Sequence, residues 1–305
     1  MMETAEQIKT WAREIGFDKV GVAAAEPLPE GGHLRQWLDR GYNGGMSWLA
    51  KNIERRLDPC RVLPGARSII CLAVDYFVPV ECGPDYLKIS RYARGADYHD
   101  VLGKMLKNLV IRIADARPES RNLWYVDAGP IMEKTWAQRA GLGWKGKNDL
   151  LVTRDYGTWV FLGEIISTLE LPPDMPESDH CGNCTKCMEA CPNGAIVEPR
   201  VLDTRRCITY WTNKHEGDFP PEIAAKLHGW VYGCDICQEV CPFNHKRKTA
   251  ARTEEFAPRA GILQAEQWRG IDETRFVQIT HGGPLQRAGY ARIRRNLQAA
   301  GVIKG

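Results

Sequence analysis

The chain has 305 residues, room for one large core and a smaller module. No stretch approaches the roughly 18 consecutive apolar residues of a transmembrane helix, so no membrane partner is expected. The formal charge of +3 is uneven, with 17 Lys and Arg against 11 Asp and Glu in residues 200–305, and 24 against 27 in the first 199.

The opening residues 4–15 have helical spacing, with Ile8, Trp11, Ala12 and Ile15 on one face, and read as a docking helix of a first domain. Residues 17–24 read as a strand, and 34–57 as helical but interrupted at Gly41-Tyr42-Asn43-Gly44-Gly45. Residues 67–74 form a buried strand in which Cys71 is a small core residue. Cys60 and Cys82 lie in turn-rich segments without a partner at metal-ligand spacing. A long helix follows the polar turn Arg94-Gly95-Ala96-Asp97 and runs over 98–116. Residues 123–126 form a strand, and Pro130 opens a helix at a position that tolerates its missing N–H. That helix ends at Gly141-Leu142-Gly143-Trp144, and strands at 150–152 and 158–166 complete an α/β (α+β) domain over 1–175. Pro172, Pro173 and Pro176 make a linker. A cysteine module over 176–250 and a helical, basic tail over 251–305 follow. The tail's basic groups are Arg252 and a closing helix with Arg287, Arg292, Arg294 and Arg295, next to Lys246-Arg247-Lys248. They suit a polyanionic partner or solvated helix faces, and charge alone favours the latter.

Eight of the eleven cysteines form two interlocking sets. Cys181, Cys184, Cys187 and Cys191, with Pro192 behind, make the C-x2-C-x2-C-x3-C-P run of two-cluster ferredoxins, whose fourth cysteine serves the other cluster. Cys234, Cys237 and Cys241 precede Pro242, and Cys207 stands upstream, 26 residues lying between it and Cys234. The pattern assigns one [4Fe–4S] cluster to Cys181, Cys184, Cys187 and Cys241, and a second to Cys191, Cys207, Cys234 and Cys237. Zinc sites usually pair two C-x2-C knuckles with four ligands per ion, which fits less well. Disulfides are disfavoured, because no apolar secretory segment precedes the module and the chain is too large to need staples. Two adjacent clusters make an electron conduit to some acceptor.

No G-x-G-x-x-G follows a strand and no Walker loop is present, so nucleotide cofactors have no sequence support. Asp97-Tyr98-His99-Asp100-Val101-Leu102-Gly103 approaches a D-x-H-x-x-G cobalamin-ligand signature, but the glycine is one residue late. His99 therefore reads as a hydrogen-bonded residue near a helix start. Asp127 ends an apolar strand, either as a helix cap or as a proton donor at a pocket mouth. The second role needs apolar walls that raise its pKa. Trp144-Lys145-Gly146-Lys147-Asn148 is a basic turn that suits a phosphate, a cofactor side chain or plain surface.

Several segments together resemble the epoxyqueuosine reductases over nearly the whole chain. They are Ser90-Arg91-Tyr92-Ala93-Arg94-Gly95-Ala96-Asp97-Tyr98-His99, Val126-Asp127-Ala128-Gly129-Pro130, and Ala140-Gly141-Leu142-Gly143-Trp144-Lys145-Gly146-Lys147-Asn148. Tyr156-Gly157-Thr158-Trp159-Val160-Phe161-Leu162-Gly163-Glu164, Arg206-Cys207-Ile208 and Tyr232-Gly233-Cys234-Asp235-Ile236-Cys237-Gln238 follow in the same order. The resemblance implies a reduced nitroreductase-like, cobalamin-binding domain followed by a two-cluster ferredoxin-like domain. It implies the last step of queuosine formation, in which wobble-position epoxyqueuosine in tRNA is reduced to queuosine with loss of water.

By position, the resemblance makes Asp127 the proton donor to the epoxide oxygen. It makes Arg56, Ser90, Asp127, Leu151, Leu162, Ile208, Cys234 and Asp235 the cobalamin-lining positions. Position 90 is cysteine in some members, so a role needing sulfur does not carry over to Ser90. Many members have a longer C-terminal helical-repeat extension, so part of their RNA-facing surface is expected to be replaced here. Lys214, His215, Lys246, Arg247 and Arg295 are candidates for phosphate contacts, which set affinity rather than base identity. An external flavodoxin- or ferredoxin-type donor and a cytoplasmic setting are implied. Two rival readings are a corrinoid-dependent, dehalogenase-like reductase of a small molecule and an electron-transfer ferredoxin fused to a ligand-binding domain.

Overall fold

The computed structural model describes residues 2–29, 31–80, 83–247 and 249–304, so Cys82 and Lys248 lie outside the described residues. Helix α1 (Met2–Ile15) buries Ala5, Ile8 and Ala12 along one stripe and is followed by β1 (Lys19–Ala24). Helices α2 (Gly31–Asp39) and α3 (Ile53–Leu57) flank the glycine loop. Strand β2 (Ser68–Asp75) is buried throughout. Its alternation sends Ile70, Leu72 and Val74 to one side and Ile69, Cys71 and Ala73 to the other. An unbroken apolar run is what a strand covered on both faces requires.

After the short β3 (Lys88–Ile89), helix α4 (Tyr98–Ala116) lays Leu102, Leu106, Leu109 and Ile113 beside α1 on the first face. Strand β4 (Asn122–Tyr125) leads to α5 (Glu133–Arg139), which sets Trp136 and Ala137 on the second face. The pair β5 (Trp144–Lys145) and β6 (Leu151–Val152) precedes β7 (Val160–Ser167). The sheet has the order β1-β2-β7-β4, with every pairing antiparallel.

The expected bounds of α4 match the structure, but Pro130 does not open a helix, and α5 starts at Glu133. The chain first makes a tight turn. Ala128 N–H donates to Val126 O at 2.6 Å, and Gly129 packs where a Cβ would stand 2.6 Å from the Tyr125 ring.

The second half consists of short elements: α6 (Lys186–Glu189), β8 (Ile196–Glu198), β9 (Val201–Leu202), α7 (Ile208–Asn213), α8 (Pro221–Ala225), β10 (Trp230–Tyr232), α9 (Ile236–Glu239) and α10 (Pro242–His245). The one-turn helices α6 and α9 lie side by side. Strand β10 pairs in parallel with β3 and so joins the two halves. The basic closing helix proves to be two, because α12 (Pro284–Ala288), which carries Arg287, is cut from α13 (Tyr290–Ala299) at Gly289, φ +86°. With α11 (Glu273–Thr280) they supply Phe276, Leu285, Ile293 and Leu297 to a core shared with Ile89 and Val231. Among the described residues no helix is long and apolar enough to cross a membrane.

Candidate active site

A cavity of about 420 Å³ opens where the cysteine module faces the sheet. Tyr98, Asp127, Leu151, Phe161 and Leu162 line it from the first half, and Cys207, Ile208, Thr209, Cys234 and Cys237 from the second. Six of the eight positions expected to surround a corrinoid share this space: Ser90, Asp127, Leu151, Leu162, Ile208 and Cys234. Arg56 and Asp235 stand behind it. The Arg56 guanidinium donates to Gly129 O at 3.4 Å, while its Nε is buried without a partner. Asp235 accepts from Ser90 Oγ at 2.5 Å and from the Arg91 N–H at 2.8 Å. Ser90 packs closely on Gly233, where a Cβ would come within 2.5 Å of the serine Cβ. Gly233 also adopts φ +67°, a conformation glycine takes without strain.

Asp127 is held in the left-handed region at φ +57°, and 49% of its side chain is accessible at the cavity. Its Oδ2 lies 3.3 Å from His99 Nε2. The other ring nitrogen, Nδ1, is 2.6 Å from Asp97 Oδ1, and Asp97 Oδ2 accepts from Arg287 at 2.9 Å. Asp97 is thus both the cap of α4, through the His99 N–H, and the anchor of the imidazole. Burial opposes the charge on His99, but hydrogen bonds to Asp127 and Asp97 outweigh it and lift the imidazole to about 9. The His99 contact, against burial and with help from the Lys214 charge, holds Asp127 below its ordinary range. The expectation that apolar walls raise Asp127 is therefore reversed, because an imidazole and not a hydrocarbon faces the carboxylate.

Beneath this loop lies a pair of carboxyl groups, Glu133 half-buried and Glu164 buried, that the sequence does not single out. Glu133 Oε1 accepts the Asp127 N–H at 2.6 Å. Burial and the neighbouring Asp127 charge push Glu133 up to about 7. Glu164, on β7, is fully buried, and burial together with Glu133 keeps it protonated. Register could have flagged Glu164: an acid in the middle of an apolar strand buried on both faces needs a reason.

The cysteines of the module lie within electrostatic reach of one another: Cys187 feels Cys181, Cys241 and Cys184, and Cys237 feels Cys207, Cys234, Cys191 and Cys187. Among the described residues no three His, Cys, Asp or Glu side chains converge on a point that suits a single metal ion. A [4Fe–4S] cubane takes one thiolate at each of its four irons, so the eight cysteines of the module would hold two. The basic turn at 144–148 is fastened to the cysteine module. Trp144 Nε1 donates to Cys181 Sγ at 3.4 Å, Lys147 to Gly182 O at 2.7 Å, and Asn148 to Cys237 O at 3.4 Å.

The five candidate phosphate contacts separate into two groups. Lys214 and Lys246 are exposed and His215 is half-buried. Arg247 is ion-paired with Asp75 and lies over the Phe77 and Tyr156 rings. Arg295 donates to His215 O and Trp211 O, each at 3.2 Å, and stacks 4.0 Å from Phe219. Both arginines are committed inside the protein.

Fold and site define a two-cluster iron–sulfur oxidoreductase with an α/β ligand-binding half. Residues 180–244 match the 4Fe-4S double cluster binding domain, and residues 56–128 match a family described as epoxyqueuosine reductase QueG, DUF1730. The chain belongs to the epoxyqueuosine reductases. It is 45% identical to that enzyme of Gloeobacter violaceus over 98% of this chain and 96% of the relative. Its identity to the Pseudomonas aeruginosa enzyme is 40%, with 96% and 83% covered. Among solved structures, an epoxyqueuosine reductase with an epoxyqueuosine-modified tRNA-Tyr stem loop has TM-score 0.90 and 32% identity, covering 98% of this chain and 80% of that one. The Bacillus subtilis enzyme, with its catalytic aspartate loop swung out of the active site, has TM-score 0.89 and 31% identity, covering 98% and 81%.

Proposed function

We propose that this chain reduces epoxyqueuosine to queuosine at the wobble position of tRNA, with the epoxide seated between Asp127 and the second cluster. The observation that carries this reading is one cavity with Asp127, backed by His99, on one wall and Cys207, Cys234 and Cys237 on the other. The net change takes two electrons and two protons. Both C–O bonds of the epoxide break, an alkene forms, and the oxygen leaves as water. An external low-potential donor of flavodoxin or ferredoxin type feeds the cluster of Cys181, Cys184, Cys187 and Cys241. The cluster of Cys191, Cys207, Cys234 and Cys237 then lies at the cavity wall.

The lining suits cobalamin: Leu151, Leu162 and Ile208 offer apolar walls, and Ser90 and Thr209 put hydroxyl-bearing side chains on them. When bound, it supplies the strong two-electron nucleophile that no amino-acid side chain provides. Ser90 and Cys234 line the same space, with Asp235 fixing Ser90 from behind. At neutral pH the proton resides on His99; it passes through the Asp127 carboxylate to the departing oxygen, and solvent supplies the second proton of the water released. A wobble base belongs to a single-stranded loop and enters a pocket without melting a duplex. Lys214 and Lys246 are the phosphate contacts this surface leaves free, and a reducing cytoplasm suits the thiols.

The test is anaerobic turnover of a synthetic anticodon stem-loop carrying epoxyqueuosine, followed by nucleoside mass analysis. Queuosine is the expected product, and its absence with fully loaded protein overturns the reading. Asp127→Asn should lower turnover by at least the ~100-fold typical of a lost acid–base group while leaving corrinoid absorbance intact. Full activity in that variant removes Asp127 from proton transfer.

A further inference from the structure

The glycine loop before α3 carries a feature that the cavity does not explain. Trp48 sits on the short turn Ser47–Leu49 with 44% of its surface exposed, and the Lys214 ammonium lies 5.9 Å from its ring centre. The loop is rigidly seated. Gly45 N–H donates to Tyr210 Oη at 2.8 Å, and a Cβ at Gly44 or Gly45 would come within 2.9 Å of the Tyr210 ring or hydroxyl. Lys214 closes α7, the helix whose Ile208 and Thr209 line the cavity, which puts the ammonium one short helix away from it. A large apolar ring is thus held in a seated loop with much of its face open and a cation beside it, on the side of the molecule where α7 reaches the cavity.

We propose that Trp48 is a stacking platform for a base flanking the modified nucleotide in the anticodon loop, with Lys214 meeting the intervening phosphate. The inference rests on the tRNA reading above. When the wobble base enters the cavity, its neighbours lose their stacking partners at the rim. An exposed indole replaces such a partner for any base, because every base has a π-face. The phosphate between them is matched by the Lys214 charge, so the aromatic and ionic parts fall in the order of the nucleotide itself.

The experiment measures binding of a synthetic epoxyqueuosine-bearing stem-loop to the cluster-loaded protein over a range of salt. Trp48→Ala should weaken binding roughly 5- to 150-fold, the range for loss of one base stack, with the salt slope unchanged. Trp48→Phe should restore most of the affinity. Lys214→Ala should reduce the salt slope by about one. Iron content and circular dichroism check that each variant is folded. If Trp48→Ala binds the stem-loop as the parent does, the platform is overturned. It is equally overturned if the variant binds RNA normally but accepts electrons slowly from a flavodoxin, which would make the patch a protein-docking surface. If the parent protein itself fails to bind the stem-loop, the tRNA reading has failed, an outcome distinct from the first two.

Discussion

His99 and Asp127 approach to 3.3 Å, and the pH behaviour of the site follows from that contact. The His99 pKa is raised from 6.5 to about 9. A group with a raised folded-state pKa stabilises the fold fully below its ordinary value and loses that contribution as pH rises through the higher one. Turnover and thermal stability should therefore both decline as pH climbs through about 9. His99→Gln should remove that alkaline limb from both profiles, and an unchanged limb would assign it elsewhere. Asp127 was legible as a candidate because an acid after an apolar strand and before Ala128-Gly129-Pro130 is locally conspicuous. The sequence shows His99 only as a helix-start residue, which it is. Its contact with Asp127 joins residues 28 apart and depends on how α4 crosses the sheet. No local pattern encodes that crossing.

Among the elements, the cysteine runs were the most legible, because a cluster's ligands are fixed by spacing along one-turn helices. Cys207 is the exception, standing alone at the entry to α7. Cys207→Ser should lower iron from about eight to about four per chain if only its own cluster fails to assemble; iron retained at the parental level would take Cys207 out of the second cluster. The fastening between the halves was not legible. Gly157, at φ +58°, sits where a Cβ would overlap Asn244 Oδ1, and that oxygen accepts the Thr158 N–H at 2.8 Å. Asn244 Nδ2 donates in turn to Thr158 Oγ1 at 2.8 Å and Gln238 O at 2.7 Å. Gly157→Ala should cost about 1–3 kcal/mol, the usual range for overpacking, measurable as a lower denaturation midpoint. In sequence this glycine is merely part of a turn. Its requirement comes from a side chain 87 positions later.

For the whole molecule, the excess of basic residues after position 200 is real, but its meaning was only half legible. Arg292 and Arg295 bind Asn213 O and Trp211 O respectively, so part of the apparent polyanion surface is internal scaffolding, while Arg287 pairs with Asp97 and stays exposed. Charge counts cannot tell an inward arginine from an outward one. The closing helices also complete the cysteine module. Asn296, buried on α13, donates to Thr212 O at 2.9 Å and to Val231 O at 2.8 Å, bracing the strand that leads into Cys234. A ribosome releases Cys234 long before Asn296 exists to hold its neighbourhood. The strand beside the second set of thiols therefore gains its brace only from a segment 62 positions further along the chain than Cys234.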